Sequence, residues 1–183
     1  MRYRIKRFTR SLQPELIREL FYEHDLKTLP KIESKLPVVL KTLDKNNISR
    51  INDVKKLPLG TLKTRLDNGD ICFVTEKSGC LLSYHWVQTQ GKHYVQQTAK
   101  WEQLENGDAV IYHVRVHTDF RGNRINGFVY SEILQHCKDH GFKRVWIYTN
   151  KNNVSNRKGL EELGFIEYKE TLSLKLNRRY FLL

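Results

Sequence analysis

From residue 106 onward the apolar positions change period in a fixed order, and that order predicts strand, helix, strand, helix, strand. Val110, Tyr112, Val114 and Val116 take one side of the run Asp108 to Val116, with Ile111 and His113 on the other, the alternation of a strand. Ile125, Phe128, Val129, Ile133, Leu134 and Cys137 then recur at helical spacing, and Gly141 stands where a left-handed cap ends a helix. Residues 142–149 carry Val145, Trp146, Ile147 and Tyr148 in a nearly continuous apolar run, the mark of a strand covered on both faces. A short helix over 155–163 stops at Gly164, and Leu172, Leu174 and Leu176 predict one or two closing strands.

Upstream, Ile71 to Val74 and Leu81 to Val87 flank the turn Lys77-Ser78-Gly79, a hairpin pattern. A helix is expected over 57–66, and a loop or irregular strand over 88–103. Charged and apolar residues alternate over 2–8, which predicts a strand. Leu16, Ile17, Leu20 and Phe21 behind Pro14 have the spacing of one helical face, which predicts a helix over 13–23. Residues 25–56 are polar and lysine-rich, broken by Pro30 and Pro37, with a short apolar segment from Leu36 to Leu43. The whole reads as one α/β domain of the α+β kind over 1–183, with no internal repeat.

Composition changes this picture little. Lys plus Arg exceed Asp plus Glu by 32 to 20, a net charge of +12 that concentrates anions near the surface without naming them. Coenzyme A, nucleic acid and acidic membranes all fit the sign, but no nucleic-acid-binding pattern accompanies the charge, so nucleic acid ranks low. No apolar run is long enough for a membrane span and the N-terminus lacks a secretory pattern, so a cytoplasmic protein is expected. Cys72, Cys80 and Cys137 are too scattered for a disulfide framework or zinc knuckle and are expected as buried free thiols.

The chemistry concentrates after Val116, where a strand, a glycine-bearing turn RGNRING and a long amphipathic helix follow one another. The first N–H groups of a helix lack partners within it and its dipole is positive there, so the arrangement suits an oxyanion. In order and spacing the run Val116-His117-Thr118-Asp119-Phe120-Arg121-Gly122-Asn123-Arg124-Ile125-Asn126-Gly127 resembles the GNAT acyltransferase superfamily, whose strand ends V-x-P, with an aromatic and R/Q-x-x-G-x-G/A opening a helix. The second signature of that family, an Asn before a short helix ending Gly-Phe, is similar to Asn153 followed by Leu163-Gly164-Phe165. The resemblance is strongest over 108–168 and implies a mixed, mostly antiparallel sheet of about six or seven strands flanked by helices, with a splay between its two central strands. It also implies acetyl-CoA as co-substrate without a metal, and an amine as acceptor, whether aminosugar, small amine or peptide, in a monomer or homodimer. Residues 69–183 would form the acetyl-CoA-binding core, and 1–68 with the loop 88–107, carrying Tyr22, Tyr94 and Trp101, the acceptor side.

The cofactor-binding residues so implied are Val114, Arg115 and Val116, whose backbone would meet the thioester, then Arg121, Gly122, Asn123, Arg124, Ile125, Asn126 and Gly127, and Asn153 at the pantetheine arm. Arg124 and Asn126 stand where the family has Gly and Gly/Ala, and Leu160 stands where many members place the tyrosine that protonates the leaving thiolate. These departures keep a non-catalytic CoA-binding module as the alternative. Tyr148, at the end of its strand, and His113 are the first candidates for proton transfer, with His117, Glu102 and Glu105 behind them. His136 and His140 lie one helical turn apart but lack a third ligand, and a solvated helix surface explains them better than a metal.

Overall fold

The computed structural model describes residues 13–177 and 179–183; the strand expected over 2–8 and the basic run Arg2 to Arg10 lie outside them. Ten strands and three α-helices follow in chain order: β1 (Glu15–His24), β2 (Val39–Leu43), α1 (Leu59–Asp67), β3 (Ile71–Lys77), β4 (Cys80–Gln88), β5 (Lys92–Val95), β6 (Lys100–Gln103), β7 (Asp108–Val116), α2 (Ile125–Asp139), β8 (Arg144–Asn150), α3 (Val154–Glu162), β9 (Ile166–Leu176) and β10 (Arg179–Leu182). Eight strands form one sheet in the order β10-β9-β1-β8-β7-β4-β3-β2, one or two more than expected, and β5 pairs β6 in a separate ribbon over the loop-or-strand stretch 88–103. Every neighbour is antiparallel except β7 and β8, which the α2 crossover joins in parallel.

The helix expected over 13–23 is instead β1, which lies between β8 and β9 and pairs with both. The reason is burial on two faces. Leu20 and Tyr22 pack among α2 and α3, while Phe21 on the opposite face packs against Trp146, Val95 and Leu104. Apolar residues at consecutive positions are what an interior strand requires, and over ten residues that pattern is indistinguishable from a helical face.

The sheet separates two layers. On one face Ile125, Val129, Ile133 and Leu134 of α2 and Leu160 of α3 meet Leu82, Ile111 and Ile147. On the other, Ile48 and Ile51 of a 3₁₀ turn and Leu62 of α1 cover Val74, Tyr84 and Trp86, and the β5–β6 ribbon covers Trp146. Gly127 permits a close crossing: a Cβ there would meet Ile32 at 3.0 Å, and the strap carrying Ile32 also ties Lys35 N–H to the Asn123 carbonyl at 3.0 Å. All three cysteines are free, with Cys72 and Cys137 buried as expected, but Cys80 is exposed because it opens β4 directly after the hairpin turn. Among the described residues no helix is long and apolar enough to cross a membrane.

Candidate acyl-transfer site

The parallel pair β7–β8 runs only from Asp108/Arg144 to Ile111/Ile147, although β7 continues to Val116 and β8 to Asn150. Beyond that point β7 stays with β4 and β8 stays with β1, so the two central strands part. The cause is a bulge in β7: Trp86 faces Tyr112 but Tyr84 faces Arg115, which leaves one extra residue, and His113 takes φ +49°. Such a bulge bends its strand and interrupts pairing. The split opens into a cavity of about 1870 Å³ that reaches both layers, larger than the roughly 300–1,000 Å³ of a site for one small ligand.

On the α2 layer the cavity meets the turn 121–127. Arg124 precedes α2 in the left-handed conformation at φ 57°, and Gly122 stands at φ +78° with open space where a Cβ would be. The first backbone bond into the helix is from Phe128 N–H to the Arg124 carbonyl; among the described residues no acceptor pairs with the N–H of Gly122, Asn123, Arg124, Ile125, Asn126 or Gly127. This is a cradle of bare donors at a positive helix end. The side chains that depart from the family pattern leave it open. Arg124 pairs with Glu162 of α3, both at the cavity wall, and Asn126 Oδ1 accepts from Nε2 of the fully buried His85 at 3.1 Å. Burial holds His85 far down, at about 3, with the Asn126 bond only partly opposing, so it stays neutral and Nε2 carries its proton. Asn123 closes the turn by donating to the carbonyls of Phe120 and Arg121.

Asn153 caps α3 by accepting from Asn156 N–H, donates to Thr149 Oγ1, and lines the cavity. Leu160 is wholly buried in the core beneath it and presents nothing to the cavity. The phenol in this half is Tyr130 of α2, which lines the cavity and donates to Asn156 Oδ1 at 3.1 Å.

The opposite layer holds a different set. Tyr148 and His113 both line the cavity, on its two sides. Gln88 donates its amide to the carbonyls of Gln90 and Lys92, which leaves its Oε1 to accept from His93 Nδ1 at 2.8 Å; His93 Nε2 therefore accepts from the Tyr148 hydroxyl at 3.1 Å. Burial, with the charge of Arg65, pushes His93 down to about 4, and burial raises the Tyr148 phenol, so both stay neutral near pH 7. His113 Nδ1 is 2.7 Å from Arg65 Nη1, and since a guanidinium can only donate, the ring proton sits on Nε2. Burial first, then the charges of Arg65, Lys55 and Arg115, hold His113 at about 4. Tyr112 donates to Asp70, whose carboxyl is itself raised by burial.

Sequence reasoning missed Glu19, which projects from β1 opposite Asn150, is 3% exposed and lines the cavity. Burial raises its carboxyl to about 7, with hydrogen bonding to Asn150 partly opposing. Glu19 is one of three glutamates in the segment 15–24, and the expected helical face of Leu16, Ile17, Leu20 and Phe21 gave no reason to single it out. The remaining candidates lie elsewhere: Glu102 pairs with Lys169, Glu105 receives Asp108 N–H through its carbonyl, and His117 accepts from Asp119 N–H. His136 and His140 stack at 4.0 Å, the latter's Nδ1 donating to the His136 carbonyl. Of the aromatic residues expected on the acceptor side, Tyr94 and Trp101 line the cavity, while Tyr22 packs in the α2–α3 layer and bonds Arg157 instead.

The chain matches the family model for acetyltransferases of the GNAT family over residues 43–165. Among solved structures it is similar to a GCN5-related N-acetyltransferase from Sphaerobacter thermophilus, with TM-score 0.63 and 13% identity over 90% of this chain and 52% of that one. An acetyltransferase from the GNAT family of Colwellia psychrerythraea gives TM-score 0.61 and 17% identity over 92% of this chain and 57% of its own. An N-acetyltransferase from Staphylococcus aureus gives 0.60 and 14%, over 80% and 94%. The chain spans only 52% of the Sphaerobacter protein and 57% of the Colwellia one, between about half and two thirds of their lengths. No curated protein matches it in sequence.

Proposed function

Since the chain belongs to the GNAT acetyltransferase family, we propose that it transfers the acetyl group of acetyl-CoA to the amine of a small molecule or peptide in the cytoplasm. The observation that carries this reading is the split between β7 and β8 opening onto the six bare N–H groups of the 122–127 turn. In it the pyrophosphate rests on those donors, Asn153 lies beside the pantetheine arm, and the β7 backbone at Val114 to Val116, free of β8, donates to the thioester oxygen as negative charge develops there.

The amine enters from the opposite layer. An alkyl ammonium must lose a proton before it can attack, and Glu19 is a carboxyl that titrates near neutrality beside the split. We assign proton acceptance to Glu19 rather than to His113 or Tyr148: His113 Nδ1 is already filled by Arg65, and Tyr148 is an un-ionised phenol donating to His93. Tyr148 retains lone pairs that can accept from the amine, which makes it a positioning group. The amine nitrogen then bonds the acetyl carbon, the C–S bond breaks, and the surplus proton of the nitrogen passes to the sulfur, which would otherwise leave as a thiolate with ordinary pKa about 8.5. With Leu160 unable to protonate it, Tyr130 is the phenol on that side of the split.

Titration with acetyl-CoA under thermal melting tests the reading. At a hundredfold excess over Kd the complex should gain about 2.7 kcal/mol, several degrees at this size. Release of free CoA with an amine panel should accompany it; an unmoved melting curve refutes the reading. Stabilisation without turnover of any amine would favour the alternative motivated by Leu160, a CoA-binding module without catalysis.

A further inference from the structure

The layer opposite α2 carries positive charge that the acetyl-CoA reading leaves unused. Arg65 lies 5.1 Å from the ring centre of Trp86 and 5.0 Å from that of Tyr112, and donates to His113 at 2.7 Å. It is a half-buried guanidinium held by two aromatic faces and a neutral imidazole. Lys55 and Arg115 act on the same His113, and all four residues line the cavity. Among the described residues none of the three cations forms an ion pair, whereas Arg18, Lys41, Arg50, Arg124, Arg144, Lys151, Lys169 and Lys175 all do. The carboxylates in this layer of the cavity are Asp70, which accepts from Tyr112 and offsets part of the Arg65 charge, and Glu19 across the split. The phosphate cradle cannot account for the cluster, because the cradle faces the α2 layer and these groups face Tyr84 and Trp86 on the other.

We propose that Lys55, Arg65, Arg115 and the Nε2–H of His113 form an anion subsite for the acceptor, so that the acceptor is a zwitterion whose amine reaches Glu19 and whose carboxylate or phosphate reaches this cluster. The proposal rests on the acetyltransferase reading for its amine end only. Arg65 retains free N–H groups in a planar fork, the geometry that matches a carboxylate or phosphate, and it is pre-organised by its two rings. Lys55 and Arg115 are exposed and can close over the anion.

Inorganic phosphate titrated into protein saturated with CoA, which fills the cradle, tests the subsite without requiring turnover. Wild type should bind phosphate, and the Lys55→Gln/Arg115→Gln double variant, altered only at exposed positions, should bind it at least tenfold more weakly. Two acceptor pairs then separate the sources: O-phosphoethanolamine against ethanolamine, and glycine against glycinamide. The anionic member of one pair should have kcat/KM at least tenfold higher, and that ratio should fall below threefold in the double variant. Absence of phosphate binding by CoA-loaded wild type, or binding undiminished in the double variant, overturns the proposal. Failure of CoA itself to bind overturns the acetyltransferase reading instead, and phosphate binding that still depends on Lys55 and Arg115 would leave the subsite standing.

Discussion

Replacing Glu19 by Gln should make the protein more stable and much less active, and the two effects should share one pH dependence. Burial raises the Glu19 carboxyl from 4.5 to about 7. An acid whose folded pKa lies above its unfolded one contributes stability in its protonated form below about pH 4.5, and that contribution is lost as pH rises toward 7. Over some 2.5 units at 1.36 kcal/mol each, the native state carries a penalty of about 3 kcal/mol at pH 8 and only about 1 kcal/mol at pH 5. Glu19 lines the open cavity, so solvent there screens part of the charge and these figures are upper limits. Gln keeps the shape and removes the charge, so Glu19→Gln should melt higher than wild type at pH 8, by up to roughly 6–12 °C, with the gap mostly closed at pH 5. If Glu19 accepts the amine proton, kcat/KM followed by free-thiol release should fall by about 10² to 10⁴ at pH 8, and the rise of wild-type activity up to about pH 7 should lose the Glu19 limb. A variant within threefold of wild-type activity refutes the catalytic assignment. A melting difference that does not grow between pH 5 and pH 8 refutes the electrostatic one.

Asn126→Ala should cost about 1–3 kcal/mol, read as a lower denaturation midpoint, because the buried His85 Nε2–H loses its acceptor. The same variant should keep its acetyl-CoA dissociation constant within about threefold if backbone N–H groups do the binding. Arg124→Gly should change stability by less than about 1 kcal/mol, since relief of a non-glycine residue at φ 57° offsets loss of an exposed ion pair with Glu162. Tyr130→Phe should lower kcat about ten- to a hundredfold with acetyl-CoA binding unchanged; a kcat within twofold of wild type would mean that the thiolate leaves unassisted.

The segments legible in the sequence are those whose structure is settled locally. The run β7–turn–α2–β8 is covered by one crossover, its helix has one apolar face, and Gly141 and Gly164 end α2 and α3 at φ +77° and +82° where expected. The cradle followed from that run, although the side-chain directions of Arg124 and Asn126 did not, because Glu162 and His85 are brought to them by other elements. What could not be read depends on distant partners. Leu20 pairs with Thr149 and Glu19 sits beside Asn150, so both the strand character of β1 and the polar surroundings of its carboxylate exist only once the sheet is assembled. Arg65, His93 and Asp70 likewise come from α1, the ribbon and the start of β3, and nothing in their own neighbourhoods marks them. His113 was identified by its place on the strand whose backbone would meet the thioester, but the bulge that turns its ring onto Arg65 left no trace in the alternation of β7.

The place of β1 inside the sheet has a consequence for how the chain is made. The family match spans 43–165, yet the slot between β8 and β9 is filled by residues 15–24, which leave the ribosome about 130 residues ahead of their neighbours. At roughly 5–20 residues per second, a strand with one interior carboxylate and several apolar side chains must wait on the order of ten seconds for both edges it will zip together. Loop closure over that span is slow to reward, so insertion of this strand is expected late in folding, after α2 has docked. Until then the future cavity would lack its wall at Glu19, which makes the birth of the acceptor pocket, rather than of the helix-end cradle, the final event in the biogenesis of this protein.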